Sequence, residues 1–184
     1  ATTRSDRNGR SVDSSVWDFF VSHRPDWLVN VAKVLAFVGD ETVLLPLTLL
    51  IMLAAFARGR RSLPAVAPFV AMLATSVVVG LAKALVGRER PPVSRQLVET
   101  ASASMPSGHA AYAAALAAVV WLLAGDRSSS ATVRAAALAT AGAAGVARLV
   151  LGVHWLSDII AGWLMGALVG VCVATLLRGR LQSL

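Results

Sequence analysis

The chain has 184 residues, 57% of them hydrophobic and only 15% charged, with a mean hydropathy of +0.69. Soluble domains carry about 25% charged residues, so this composition excludes an ordinary water-soluble fold and points to a membrane-embedded protein. Lys and Arg number 17 against 10 Asp and Glu, a net charge of +7 whose placement decides between a nucleic-acid surface and a membrane topology, and the lone Cys172 excludes an internal disulfide or a multi-cysteine zinc site.

In chain order, residues 1–11 read as a polar tail carrying Arg4, Arg7 and Arg10, and residues 12–184 as one membrane-embedded domain. From Val12 to His23, Val12, Val16, Phe19 and Phe20 recur at helical spacing against Asp13, Asp18 and Ser22, which predicts an amphipathic helix at the membrane interface. Trp17 and Trp27 suit that interface. Residues 27–38 are apolar except for Asn30 and Lys33 and stop at Gly39-Asp40-Glu41. Twelve residues rise only about 18 Å as a helix, short of a hydrocarbon core of about 30 Å, so an interfacial or re-entrant helix is favoured over a short span.

Five apolar runs of spanning length follow: Thr42–Ala57, Leu63–Val86, His109–Ala124, Ala131–Leu151 and Trp155–Leu177. They lack the period-two alternation of barrel strands, so the fold class is all-α, a polytopic transmembrane helical bundle of five spans with a sixth left open. Arg58, Arg60 and Arg61, then Arg127 and Arg134, then Arg178 and Arg180 fall on one side by parity, and the positive-inside rule makes that side cytoplasmic. The other side receives the Gly87–Gly108 loop and the turn at Gly152-Val153. The positive charge is thus a topology signal, and no nucleic-acid partner is expected.

Several basic residues break the rule. Lys83 and Arg148 lie inside apolar runs near the extracytoplasmic edge, and Arg88, Arg90 and Arg95 lie in the loop there. A charge at a span centre costs about 2.5–3.5 kcal/mol on insertion scales, so such placements need a reason. Snorkelling is one for Lys83 and Arg148. Convergence supplies another, because Pro106-Ser107-Gly108-His109 opens the third span at the same edge, and Arg148 is followed there by His154 and Asp158.

His154 and Asp158, four residues apart, share a helix face, so the carboxylate can hold one imidazole nitrogen and leave the other directed at a ligand. Ser107 and Gly108 stand where a helix N-terminus offers free N–H groups to an anion. Three cations, a helix N-terminus and two His residues suit a phosphate. Lys83, Arg90 and Arg148 would neutralise its equatorial oxygens, His154 would attack phosphorus, and His109 would protonate the leaving oxygen and then activate water. No metal or cofactor is needed, and three cations oppose a divalent ion at these His and Asp residues.

These residues resemble the type 2 phosphatidic acid phosphatase family, which also contains vanadium haloperoxidases and bacterial non-specific acid phosphatases. The family's three motifs, Lys-x6-Arg-Pro, Pro-Ser-Gly-His and Ser-Arg-x5-His-x3-Asp, are matched by Lys83 to Arg90-Pro91, by Pro106-Ser107-Gly108-His109, and by Ala147-Arg148 through His154 to Asp158. The resemblance implies His154 as nucleophile, Asp158 as its partner and His109 as general acid. It implies Lys83, Arg90, Ser107, Gly108 and Arg148 as phosphate ligands. Ala147 departs from the family's Ser and removes one hydrogen bond while leaving the charged set intact. Membrane members usually have six transmembrane helices, so either residues 27–38 cross as a tilted span or the sixth helix is not among these residues.

The function so implied is an integral-membrane lipid phosphatase acting at the extracytoplasmic face of the cell membrane. Its substrate would be a polyprenyl diphosphate, phosphatidylglycerol phosphate or phosphatidic acid, and its other partners membrane lipids. The alternatives are a transporter or flippase that binds a phosphate headgroup without cleaving it, and a vanadate-dependent haloperoxidase. Arg88 and Arg95 read equally as headgroup contacts or a solvated loop, and His23 as a surface residue. Cys172 reads as a small buried hydrophobe. Gly162, Gly166 and Gly170 read as close packing inside the bundle in preference to a dimer interface. Nothing in the sequence fixes the oligomeric state.

Overall fold

The structure, a computed structural model, describes residues 11–60, 62–124 and 128–181, with the side chains of 128, 129 and 179–181 left aside. The polar tail, Arg61, Arg127 and the Arg180 side chain lie outside the described residues. Seven α-helices follow in order: α1 Val12–Ser22, α2 Asp26–Val38, α3 Glu41–Ala57, α4 Leu63–Val86, α5 Gly108–Leu123, α6 Ser128–Val150 and α7 Leu156–Leu181, with a 3-10 turn at Val93–Arg95. The apolar runs of the sequence thus coincide with helices, and no strand occurs among the described residues.

The span count differs from the sequence reading. Three helices, α4, α6 and α7, are long and apolar enough to cross a membrane, and a fourth crossing arises if α2 and α3, bent by 50° at Gly39–Asp40, count as one broken span. At 17 and 16 residues, α3 and α5 rise only about 24–26 Å, short of the hydrocarbon thickness. α5 is the central helix and packs against α4, α6 and α7. Ala110, Ala111, Tyr112, Ala114, Ala115, Ala117 and Val119 are buried along it. Large apolar side chains point outward instead, among them Leu50, Leu73, Leu81, Leu164, Leu168 and Leu176. This inversion, small residues inside and Leu outside, suits a bundle whose solvent is hydrocarbon.

The tightest pairing joins α5 to α7 through glycine. A Cβ at Gly162 would lie 2.5 Å from the Ser107 carbonyl oxygen and one at Gly170 2.5 Å from that of Ala115, and a Cβ at Gly166 would come closer still to the Ala111 oxygen. The three glycines therefore serve packing within the bundle. The α6–α7 turn is equally tight. Gly152 takes φ +74°, and a Cβ there would meet the Arg95 carbonyl oxygen at 2.8 Å. Arg24 clamps this turn, its guanidinium donating to the carbonyls of Val150 at 2.9 Å and Arg95 at 2.8 Å.

Two expectations about single residues change. Trp17 is not an interfacial anchor but is buried, its indole N–H donating to the Gly152 carbonyl at 3.1 Å and its ring packed 6.0 Å from that of Trp155. Cys172 is exposed on the outer face of α7. Trp27 is exposed as expected, and His23 is exposed and stacks on Phe19.

The packing predicts that Gly166→Ala lowers stability by about 1–3 kcal/mol or more, because α5 backbone must move. Gly80→Ala, where nothing lies within 4 Å, is expected to be neutral or to stabilise by up to about 1 kcal/mol. Thermal unfolding of both variants in detergent checks the contrast.

Candidate active site

Four helix ends and one loop meet at one end of the bundle. The C-terminal turn of α4 brings Lys83, the N-terminus of α5 Gly108 and His109, the last turn of α6 Arg148, and the α6–α7 turn His154, while the loop after α4 brings Arg90. All six line one cavity of about 660 Å³, and Ser107 and Asp158 lie fully buried behind them. The structure therefore brings together all eight site residues expected from the sequence. Ser107 N–H donates to the Asp158 carbonyl at 2.9 Å, locking the start of α5 to the start of α7.

His154 sits in the turn before α7, with Asp158 one helical turn on. Its Nδ1 is 3.3 Å from Asp158 Oδ2, so the carboxylate holds the proton on Nδ1 and leaves a lone pair on Nε2. Nε2 faces the Arg90 guanidinium at 3.2 Å. Burial pushes the His154 pKa down from 6.5 to about 3; the guanidinium groups of Arg90 and Arg148 add to this and the bond from Asp158 opposes it. The imidazole is therefore neutral and oriented, with the Nε2 lone pair left free of the carboxylate.

Asp158 is held by more than His154. Its Oδ2 accepts from Ser104 Oγ at 2.5 Å and from the Trp155 N–H at 2.9 Å, and its Oδ1 accepts from Arg88 at 2.6 Å. Arg88 reaches in the opposite direction to Asp13 of α1 at 2.7 Å, and Asp13 also accepts from the Ser157 N–H at 2.9 Å and the Ser157 hydroxyl at 2.5 Å. Burial pushes the Asp13 carboxyl up, but the bonds from Ser157 and Arg88 outweigh it and hold the group below its ordinary value. Arg88, read from sequence as either a headgroup contact or a solvated loop residue, is thus a support of the His154–Asp158 pair. Arg95 is exposed at the 3-10 turn. Sequence reasoning missed Asp13, Ser104 and Ser157, because no spacing rule connects α1 to a site more than 140 residues away.

Two of the cations, Arg90 and Lys83, are held by backbone oxygens and share the Ala103 carbonyl. Arg90 donates to the carbonyls of Ser102 and Val153, each at 2.8 Å, and Lys83 to that of Ala103. Burial is the main cause that lowers the Arg90 pKa, opposed by Asp158. Arg148 is only 5% exposed. Its Nε and the Ser107 Oγ are the buried side-chain polar atoms that lack a hydrogen-bond partner among the described residues. Ala147 packs in an apolar cluster with Ala32, Ala36, Val150, Leu151 and Val153, so the position where the family has Ser faces α2 and the α6–α7 turn.

The sequence profile of the PAP2 superfamily matches residues 64–181, which contain every one of the eight site residues. The chain belongs to this superfamily. Among solved structures it is similar to the first transmembrane PAP2 type phosphatidylglycerolphosphate phosphatase from Bacillus subtilis, with a TM-score of 0.82 and 24% identity over 95% of this chain and 88% of that one. It is also similar to LpxE of Aquifex aeolicus, with a TM-score of 0.74 and 22% identity over 95% of this chain and 99% of that one. No curated protein matches the chain. At these identities the structural likeness speaks for the fold, and superfamily membership fits a phosphoric ester hydrolase set in a membrane.

Two outcomes follow from the site. Arg88→Ala removes a charge-assisted bond from Asp158 and is expected to lower kcat about 10- to 100-fold, with Arg88→Lys intermediate because an ammonium cannot fork to Asp13 and Asp158 as a guanidinium does. Steady-state kinetics of the two variants check this. Nitrogen-15 chemical shifts of the His154 ring should report a neutral imidazole at pH 5, since a pKa near 3 leaves it unprotonated there; a protonated ring at that pH would contradict the burial argument.

Proposed function

We propose that the protein is a lipid phosphatase that cleaves a lipid mono- or diphosphate through a phosphohistidine intermediate, without a metal ion. The observation that carries this reading is the convergence of Lys83, Arg90, Arg148 and His109 with the oriented His154 imidazole on one cavity, where Arg148 Nε is a buried donor without a partner among the described residues. A buried polar group without a partner costs about 1–3 kcal/mol, and an oxyanion bound beside Arg148 would offset that cost.

In this scheme the phosphate lies against Lys83, Arg90 and Arg148, with the first amides of α5 from Gly108 onward donating to it, since a helix leaves those N–H groups without internal acceptors. The cations spread the charge of the transition state over three directions. His154 Nε2 forms the bond to phosphorus as the bond to the leaving oxygen breaks, and its electron pair goes to that oxygen together with a proton from His109. Water then attacks the phosphohistidine, giving a proton back to His109, and phosphate leaves as the P–N bond breaks. Binding alone would need only the cations, so the His154–Asp158 pair and His109 favour hydrolysis over transport.

The cavity carries an apolar wall of Ala36, Phe37, Val79, Gly80 and Val98 beside its charged one. We place the substrate's chain there, between the α2–α3 bend and α4, with the phosphate inward. We also read α3 and the sheathed α5 as crossings, giving five passes. The ends carrying Arg58, Arg60, Arg134 and Arg178 are then cytoplasmic and the site extracytoplasmic.

Phosphate release by the purified protein in detergent, with EDTA present, tests the reading. Polyprenyl diphosphate, phosphatidylglycerol phosphate and phosphatidic acid serve as substrates. The wild type is expected to turn over at least one of them undiminished by EDTA, and His154→Ala to lose at least about 10³-fold in kcat. Full phosphate release by His154→Ala would sink the mechanism.

A further inference from the structure

A general acid at His109 must carry its proton as an imidazolium while sharing a cavity with Lys83, Arg90 and Arg148. Three cations disfavour a fourth, so the acid needs a counter-charge. The acidic residues lining the cavity are Asp40, Glu41 and Glu99. Glu41 is already engaged on both oxygens, by the Tyr112 hydroxyl at 2.5 Å and by the Ser76 hydroxyl. Glu99 is an exposed loop residue. Among the described residues, the carboxylate within ion-pair distance of His109 is Asp40, whose Oδ2 lies 3.7 Å from Nε2.

The bend between α2 and α3 sets this up. Asp40 is the N-cap of α3, and its Oδ1 accepts from the Thr42 N–H at 2.9 Å and the Thr42 hydroxyl at 2.7 Å. That leaves Oδ2 to turn toward the ring. His109 Nε2 meets the Ala36 carbonyl, in the last turn of α2, at 2.9 Å. A carbonyl can only accept, so the ring nitrogen donates and the neutral ring keeps its proton on Nε2. Nδ1 is then the nitrogen that takes up and releases the second proton. His154 and Asp158 have the corresponding arrangement on the opposite wall, with the carboxylate on Nδ1 and Nε2 left reactive.

We propose that Asp40 is the positioning residue of the general acid: the α2–α3 bend holds the Nε2–H of His109 between the Ala36 carbonyl and the Asp40 carboxylate, and so keeps Nδ1 protonated for the leaving group. This rests on the phosphohistidine reading. The step it serves is the first one, in which the bond from phosphorus to the lipid oxygen breaks, its electron pair stays on that oxygen, and the Nδ1 proton moves there to give a free alcohol or lower phosphate. His109 is left neutral, still donating from Nε2 to Ala36.

Asp40→Asn isolates the charge, because the Asn side-chain oxygen caps a helix as well as Asp does and the α3 N-terminus is preserved. The measurement is single-turnover release of the leaving group from two substrates: the faster of phosphatidic acid and phosphatidylglycerol phosphate, each of which expels an alkoxide, and p-nitrophenyl phosphate. Nitrophenolate leaves without a proton, whereas a lipid oxygen does not. Asp40→Asn is expected to slow release from the lipid about 10- to 100-fold and release of nitrophenolate less than about 3-fold, with an unchanged melting temperature. His109→Gln should give the same selectivity with a larger loss, and Asp40→Glu should recover part of the lipid rate. Equal slowing of both substrates, or of neither, by Asp40→Asn while His109→Gln remains selective would overturn the role of Asp40 alone. A non-selective His109→Gln would overturn the general acid and Asp40 with it. Phosphate release surviving in His154→Ala would instead strike at the phosphohistidine reading itself.

Discussion

The site depends on how closely the backbones of α5 and α7 approach. Gly162, Gly166 and Gly170 present no side chain to α5, and the carbonyls of Ser107, Ala111 and Ala115 occupy the space a Cβ would fill. In hydrocarbon there is no hydrophobic gain from pressing two apolar helices together, so close van der Waals contact between small residues has to supply the attraction. Here that contact also fixes the level of one helix start against the other. Ser107 N–H reaches the Asp158 carbonyl at 2.9 Å, and with it the first turn of α5, which bears His109, stands opposite His154. Larger residues at the glycine positions would separate two halves of one site before they disturbed any charge.

Around that core the charges are arranged in depth. Lys83, Arg90 and Arg148 face the cavity, while the carboxylates of Asp158 and Asp13 stand behind it, joined through Arg88. A guanidinium suits this position because its fork serves two carboxylates at once. The consequence is that α1, outside the four-helix core, is wired to the His154–Asp158 pair through Asp13, Arg88 and Ser157. The α2–α3 bend is wired to His109 in the same manner through Ala36 and Asp40. Peripheral elements thus orient the two imidazoles, and the central helices bring Lys83 and Arg148 to the cavity.

Much of this was legible in the sequence, and the limits are physical. The apolar runs located α3 to α7 to within a few residues, because in a membrane length and hydropathy govern helices directly. The charged residues that the structure gathers at one cavity were singled out because charges inside apolar runs are costly and these converged on one edge. Asp13, Ser104 and Ser157 were missed, since each acts through a tertiary contact that no helical period encodes. Trp17 misled because an indole suits an interface and a buried carbonyl partner equally well. The span count diverged at α3 and α5, because hydropathy marks an apolar run whether or not its helix is long enough to cross, and these two have 17 and 16 residues.

The central claim is that His154 Nε2 takes the phosphoryl group, and trapping that species tests it most directly. The protein is mixed with a substrate carrying phosphorus-32, quenched in alkali within the first turnover, and the label located by peptide mapping. The account predicts an alkali-stable, acid-labile label on His154, absent in His154→Ala and accumulating in His109→Ala when labelled p-nitrophenyl phosphate, whose leaving group needs no proton, is the substrate. Steady turnover with no labelled protein, or a label on any other residue, would contradict it.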